Sequence, residues 1–310
     1  MSVITKSGLF SACVFVHTAA FSQKIEPTIS FYPSFKAGET VVYQLAEKRF
    51  QQNPQGHFIS LQEDTSYYVF KVTEVKDSFT LVDFNYAESY ADNQIVKNEF
   101  TTHNPLKTET YKLLLDSKGN LIELTNWERF RTILTFNLIQ SYKAHEIDSM
   151  TLKYYYLYYE NQQNVEDAVI KPVSDFLYIL GKEYVPNQDY TIAKEIVNPF
   201  GGENLQKSCK LNVTQLENLK NSVFISGMLV TDYDDNIAMQ EDYYLFRNSE
   251  REPSEESPYI YIRDDFEYQY NTAQKRIMSY KTTHNVYLNN NKQGLEKSWN
   301  LFDVSAPKKN

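Results

Sequence analysis

Between residues 126 and 171 the chain contains neither glycine nor proline, and over that stretch its apolar period changes from two to about three and a half. A segment of that length without backbone punctuation is expected to be helical, and the segments on both sides of it read as short strands. Thr125 and Glu128 form a T-x-x-E capping box, and Trp127, Phe130, Leu134 and Leu138 follow at three- and four-residue steps with Ile133 beside them. An amphipathic helix is therefore expected from near Asn126 to about Ala144. Asp148 is placed to cap a second helix through the tyrosine run at 154–156, a run that would equally suit a strand. A third helix is expected from Asn164 to Leu180, with Phe176, Ile179 and Leu180 on its apolar face and Gly181 as its stop; Pro172 would sit inside or break it.

Before this block, Thr40 to Phe50 alternates Val41, Tyr43 and Leu45 against Gln44 and Ala46, Ser66 to Lys76 is β-branched and aromatic-rich, and Phe79 to Tyr86 follows a polar turn. Tyr111–Leu115 and Leu121–Leu124 flank Asp116-Ser117-Lys118-Gly119-Asn120, a hairpin turn with Gly119 available for positive φ. After the block, strands are expected over Asp189–Val197, Leu205–Val213, Val223–Val230, Ala238–Phe246, Tyr259–Tyr270 and Lys275–Tyr287. Turns or loops are expected at 198–202, at Asn248–Ser257 and at Asn289–Gly294, before a short last element around Trp299. Phe70–Lys76 resembles Leu211–Glu217, and the Tyr111–Thr125 hairpin has a counterpart in Phe266–Thr283. The arrangement expected is one β-rich α+β domain over 23–310, a strongly curved antiparallel sheet with a central helical insert, about 126–181, packed on one face. Two related β units, about 38–125 and 189–303, would flank the insert.

The first 22 residues have a different character: Lys6, an apolar run from Gly8 to Val16, then Ala20-Phe21-Ser22 before Gln23. A basic start, a short apolar centre and small residues one and three positions before a cut are the pattern of a secretory signal, with cleavage expected after Ser22. The apolar run is roughly ten residues, about half of what crosses a bilayer as a helix, so no transmembrane segment is expected. Phe10-Ser11-Ala12-Cys13 loosely resembles a lipobox, and lipid anchoring at Cys13 is the alternative fate of this segment.

With 31 basic and 40 acidic residues the chain carries a net charge of −9, and such a surface repels phosphate backbones, which excludes nucleic acid as a natural partner. Of the two cysteines only Cys209 lies beyond the signal, so no intramolecular disulfide is expected. Cys209 shares its parity with Leu205, Leu211 and Val213, which places it on the inward face of a strand.

No motif names a reaction. Asp232-Tyr233-Asp234-Asp235-Asn236 begins like a calcium loop, but Ile237 stands where glycine is required and Tyr243 where a bidentate glutamate is required, leaving a hairpin turn as the reading. His57, His103, His145 and His284 are scattered singly. Ser226-Gly227 is not a nucleophile elbow and reads as strand packing, and Gly201-Gly202 lacks the lysine and helix of a phosphate cradle. Asp264-Asp265, Glu267 and Glu241-Asp242 could supply paired carboxylates only if the fold opposed them across a groove. Tyr259, Tyr261, Tyr268 and Tyr270 could line one sheet face as a binding surface or serve cross-strand packing. No catalytic residue, cofactor or metal is assigned.

Ala20-Phe21-Ser22-Gln23, the opening Gly38-Glu39-Thr40-Val41-Val42-Tyr43, and Asp116-Ser117-Lys118-Gly119-Asn120-Leu121 leading into Asn126-Trp127 together resemble uncharacterised exported proteins of Bacteroidota. The resemblance implies a Gram-negative envelope location and carries over no catalytic residue. No carboxy-terminal sorting domain is visible after Asn289, which favours the periplasm over dedicated secretion. The curved sheet closed by helices is also similar in layout to periplasmic lipoprotein carriers, whose space between helix and sheet would hold an acyl chain. The expected function is that of a non-enzymatic envelope protein binding a hydrophobic ligand, a lipid or a partner protein. The alternatives are a secreted hydrolase working through paired carboxylates, and a structural or adhesive role.

Overall fold

Alternation of apolar and polar residues runs through the strands on both sides of the helical block, and the structure, a computed structural model, joins them into one antiparallel sheet. Residues 28–53, 57–91, 94–96, 105–196, 198, 204–216, 219, 221–246, 259–289 and 291–305 are described. The signal segment, Cys13, His103, Gly201-Gly202 and the loop expected at Asn248–Ser257 lie outside them. The first half is a meander of β2 (Thr40–Gln52), β3 (Phe58–Val75), β4 (Phe79–Ala87), β7 (Tyr111–Asp116) and β8 (Leu121–Leu124), with the hairpin β5 (Ser89–Ala91) and β6 (Gln94–Val96) and the short α1 (Pro105–Thr108) between β4 and β7. The helices follow: α2 (Trp127–Lys143), α3 (Ser149–Tyr158) and α4 (Gln162–Leu177). The second half comprises β10 (Gln188–Ile196), β11 (Leu205–Gln215), β12 (Ser222–Val230), α5 (Tyr233–Phe246), β13 (Ile260–Asn271), β14 (Arg276–Leu288) and β15 (Asn291–Ser305). The short strands β1 (Ile29–Ser30) and β9 (Glu183–Tyr184) pair separately.

The eleven-stranded sheet has the order β10-β11-β12-β13-β14-β15-β2-β3-β4-β7-β8. The last strand therefore pairs with the first long one, Trp299 opposite Leu45, and this seam sits in the middle of the sheet. The helices carry the chain from one edge, β8, to the other, β10. Both halves place an insertion between their third and fourth strands, β5–β6 and α1 in the first and α5 in the second.

The sheet wraps around α4. Val165, Val169, Val173, Phe176 and Leu177 are buried on that helix, and the inward residues of the sheet join them in one core. Phe176 lies at ring distances of 4.7 Å from Tyr43, 5.7 Å from Phe70, 5.9 Å from Tyr280 and 6.2 Å from Trp299, so one ring touches β2, β3, β14 and β15. The Tyr43 hydroxyl donates to the Ile277 carbonyl at 3.0 Å, and Tyr268 donates to the Asp175 carbonyl. Burial pushes these phenols, with Tyr280, well above their ordinary pKa, and they stay neutral hydrogen-bonding groups. Helix α4 runs through Pro172 unbroken, and Gly181 takes φ +76° to turn the chain out of it; a Cβ there would lie 2.2 Å from the Asn120 side chain.

Four expectations are corrected. Ala238–Phe246 is not a strand: α5 occupies Tyr233–Phe246, with Asn236, Met239 and Tyr243 turned inward at three- and four-residue steps. Its start replaces the expected hairpin turn, because the Asp232 amide donates to the Asp235 carboxylate and the Asp235 amide to that of Asp232. The segment from Asn291 is neither loop nor short element but the long central strand β15, disguised because Lys297 stands among its inward positions Leu295, Trp299 and Leu301. The capping box at α2 does not form. Asn126 caps the helix without a side-chain bond to it, and its amide group instead ties the β7–β8 hairpin to the helix through the Lys112 N–H and the Thr110 carbonyl.

Replacing Phe176 with alanine removes the ring on which four strands converge and is expected to cost about 3–5 kcal/mol. Phe136, 58 % exposed on α2, should tolerate the same change within about 0.5 kcal/mol. Urea unfolding midpoints of the two variants check the contrast.

Candidate functional site

Helices α2 and α3 leave the body of the protein as a hairpin. Near its start α2 is anchored by Phe130 and Ile133, both buried, and Phe130 lies 4.3 Å from the Tyr111 ring. Beyond Leu134 the helix emerges, exposing Phe136, Ile139 and Tyr142. It closes with His145 in the left-handed region at φ 60°, the His145 amide donating to the Tyr142 carbonyl and the Glu146 amide to that of Ser141. This is the paired-bond termination that usually selects glycine. Asp148 then starts α3 by accepting from the Thr151 amide at 2.7 Å, which holds its carboxyl below the usual range, as the sequence pattern predicts.

Helix α3 buries none of its ten residues. Met150 is 79 % exposed, Tyr154 60 % and Leu157 54 %, with Tyr155, Tyr156 and Tyr158 also open to solvent. The rings brace one another at helical spacing: Tyr154 stacks on Tyr158 at 6.0 Å and Tyr155 on Tyr159 at 6.1 Å. Between α2 and α3 a shallow, mainly apolar groove is lined by Ile139, Leu152, Tyr156 and Leu157, with Ser149 and Lys153 at its side. No residue between Arg131 and Lys143, or between Lys153 and Glu160, is charged. The result is an aromatic surface with few charges, the composition found at the centres of protein interfaces.

The interior offers far less room. An apolar cavity lined by Pro33, Phe35, Val82, Leu113, Phe176 and Ile277 leaves about 40 Å³ for occupants, enough for roughly two or three waters and too little for an acyl chain.

The residues singled out in the sequence are dispersed. Tyr268 and Tyr270 are fully buried in the core, whereas Tyr259 is exposed and Tyr261, of the same parity, lies on the opposite face against Tyr287. The four tyrosines are thus divided between two faces. Asp264 meets His284 at 2.6 Å on the inner face, while Asp265 faces outward in a two-bond pair with Arg263. Asp242 accepts from the Asn198 amide group. His57 lies in the turn after β2, its amide bonded to Asn53. In the calcium-like segment the Lys207 ammonium sits against Asp232 and Asp235, occupying the position a cation would take and holding Asp232 at a pKa of about 2. Among the described residues no cluster of three or more His, Cys, Asp or Glu could hold a metal. Cys209 is buried, its thiol pushed up by desolvation, beside the position where Gly227 makes room for the Phe266 ring. The α3 surface itself is not among the sequence assignments; its signal is the tyrosine run with no apolar stripe to bury.

No protein-family model and no curated protein matches the chain. Among solved structures, an outer membrane channel from Pseudomonas putida F1 aligns over 87 % of this chain and 98 % of its own at 8 % identity and a TM-score of 0.16, a level of overlap that carries no argument. Among the described residues no helix is long and apolar enough to cross a membrane.

In a chain beginning at Gln23, Cys209 is expected to stay unreactive toward a thiol reagent under native conditions and to react fully in denaturant; native labelling kinetics check its burial.

Proposed function

We propose that this protein is an exported, non-enzymatic component of the Gram-negative envelope that docks a partner protein through the aromatic face of α2 and α3. The signal-like segment ahead of Gln23 supports the location. The observation that carries the docking function is a helix of ten residues, most of them aromatic or aliphatic, that buries none of them. Exposed apolar surface of this kind is retained where something covers it.

Two features favour a protein over a lipid as occupant. Arg129, Arg131, Lys143 and Lys153 are balanced by Glu128, Glu146, Asp148 and Glu160, whereas helices that lie on anionic membranes present a lysine- and arginine-rich face. The small interior cavity requires α4 to leave the sheet before an acyl chain could enter. A hydrolase reading would need carboxylates opposed across a groove: Asp264, Asp265 and Asp242 are each engaged by a neighbour, Glu241 is exposed on α5, and Glu267 shares a groove with Asp265 but follows it two residues on along the same face of β13.

Photo-crosslinking from position 154 in intact cells tests this reading. It predicts one discrete protein adduct, retained on mild salt washing and lost when Met150→Asp and Leu157→Asp are combined, while a probe at exposed Lys281 gives none. Both substitutions lie on open surface and should leave stability within about 0.5 kcal/mol each. Crosslinking to lipid only, or equally from both positions, contradicts it; an adduct of twice the chain mass identifies the partner as a second copy.

A further inference from the structure

The two edge strands of the sheet, β8 and β10, are not paired, and α4 touches both: Glu166 accepts from the Leu124 amide of β8 and Asp175 pairs with Lys194 of β10. Over the helix a cleft of about 870 Å³ opens, lined by β8, by α4 and by Lys182. Its carboxylates Glu123, Glu166 and Asp167 lie toward the start of α4, where they accept from Gln162, the Leu124 amide and Gln163, while Asp175, Tyr178 and Lys182 form the other end. The cleft borders the aromatic surface, since Tyr158 is part of its wall.

Lys182 is half-buried in this wall and its ammonium pairs with no carboxylate among the described residues; it lies 2.9 Å from the centroid of the Tyr178 ring. Lys194, an inward residue of β10, lies 5.4 Å from the Tyr178 centroid, 4.3 Å from that of Phe266 and 3.7 Å from Asp175. Asp175 thus serves Lys194, and Glu183, next along the chain, is taken by the Tyr32 and Ser30 hydroxyls. Around the Tyr178 ring there are thus two ammonium groups, and Asp175 pairs with Lys194 alone. An aromatic face compensates a desolvated cation only in part, and charges withdrawn from water are otherwise paired.

We propose that the Lys182 end of this cleft binds the anionic group, carboxylate or phosphate, of an acidic ligand, which supplies the missing counter-charge. The site is distinct from the docking surface and does not depend on it.

Burial, reinforced by Lys194, brings the pKa of Lys182 down to about 8. A lysine whose pKa is lower folded than unfolded destabilises the folded state below that value, and the penalty fades as pH rises toward the ordinary lysine range. An anion reverses this by favouring the charged form, so binding should be strongest below about pH 8 and fade above it, and Lys182→Met should leave the free protein equally or more stable at neutral pH.

The test is NMR of the mature chain with ¹³Cε-labelled lysine, titrated with pH alone, with inorganic phosphate, with acetate and with decanoate, Lys182 being assigned by its loss in K182M. The expected result is a depressed Lys182 midpoint that an anion raises by about one unit, equivalent to about tenfold tighter binding to the protonated form, and anion affinity lost in K182M and kept in K182R. A response to decanoate but not acetate marks the ligand as an amphiphilic acid, and a response to phosphate marks a phosphorylated one. An ordinary lysine midpoint that no anion moves, or unchanged binding by K182M, overturns the proposal. If K182M fails to fold, K182R, in which the same lysine signal is lost, supplies the assignment, and the wild-type titration then decides the matter.

Discussion

Everything in this fold leans on the packing of one helix into one sheet, and within it on the ring of Phe176. The strands that ring touches come from opposite ends of the chain: β2 and β3 from the start, β14 and β15 from the finish. Pairing β15 with β2 closes a loop of more than two hundred residues, and the entropy of that closure is recovered only if the seam is covered. Helix α4 covers it. An open eleven-stranded sheet would otherwise present its inner face to water; wrapped around α4, it has a core that includes Phe31, Cys209 and Tyr280 alike.

That economy has a functional consequence. With α4 packed into the core, the cavity beside Phe176 holds only about 40 Å³, and the larger openings, the cleft over α4 and the groove between α2 and α3, lie outside it. There the chain presents a tyrosine-covered hairpin that packs against itself through α2 and buries nothing on α3, and beside it a polar cleft at the gap between the sheet's edges. Both lie where the helical crossover leaves the sheet uncovered, as the connectivity dictates.

Much of this was legible in the residues, for physical reasons that also explain the failures. The β7–β8 hairpin and α2 carry local signals, a glycine turn and a period, that need no tertiary context, and α3 has its Asp148 cap, although its tyrosine run would also suit a strand. Strand β15 carries none: its apolar alternation is broken by Lys297, which pairs with Glu47 across the seam, a partner some 250 residues away. Helix α5 was hidden because a tyrosine-rich segment after an acidic turn fits a strand as well, until Lys207 is seen to fasten its first turn. The candidate sites were less legible than the fold. Exposure of α3 shows in sequence only as a missing stripe, and the isolation of Lys182 depends on where Lys194, Tyr178 and Asp175 fall in space.

The central claim is that α4 is a permanent part of the core and not a lid over a ligand chamber. Native-state hydrogen exchange resolves the two most directly. If α4 is core, the amides of residues 165–177 exchange only through global unfolding, with the same free energy as those of the β15–β2 seam. Exchange of α4 at a distinctly lower free energy while the seam stays protected would show a helix that leaves the sheet intact behind it, and would contradict the account.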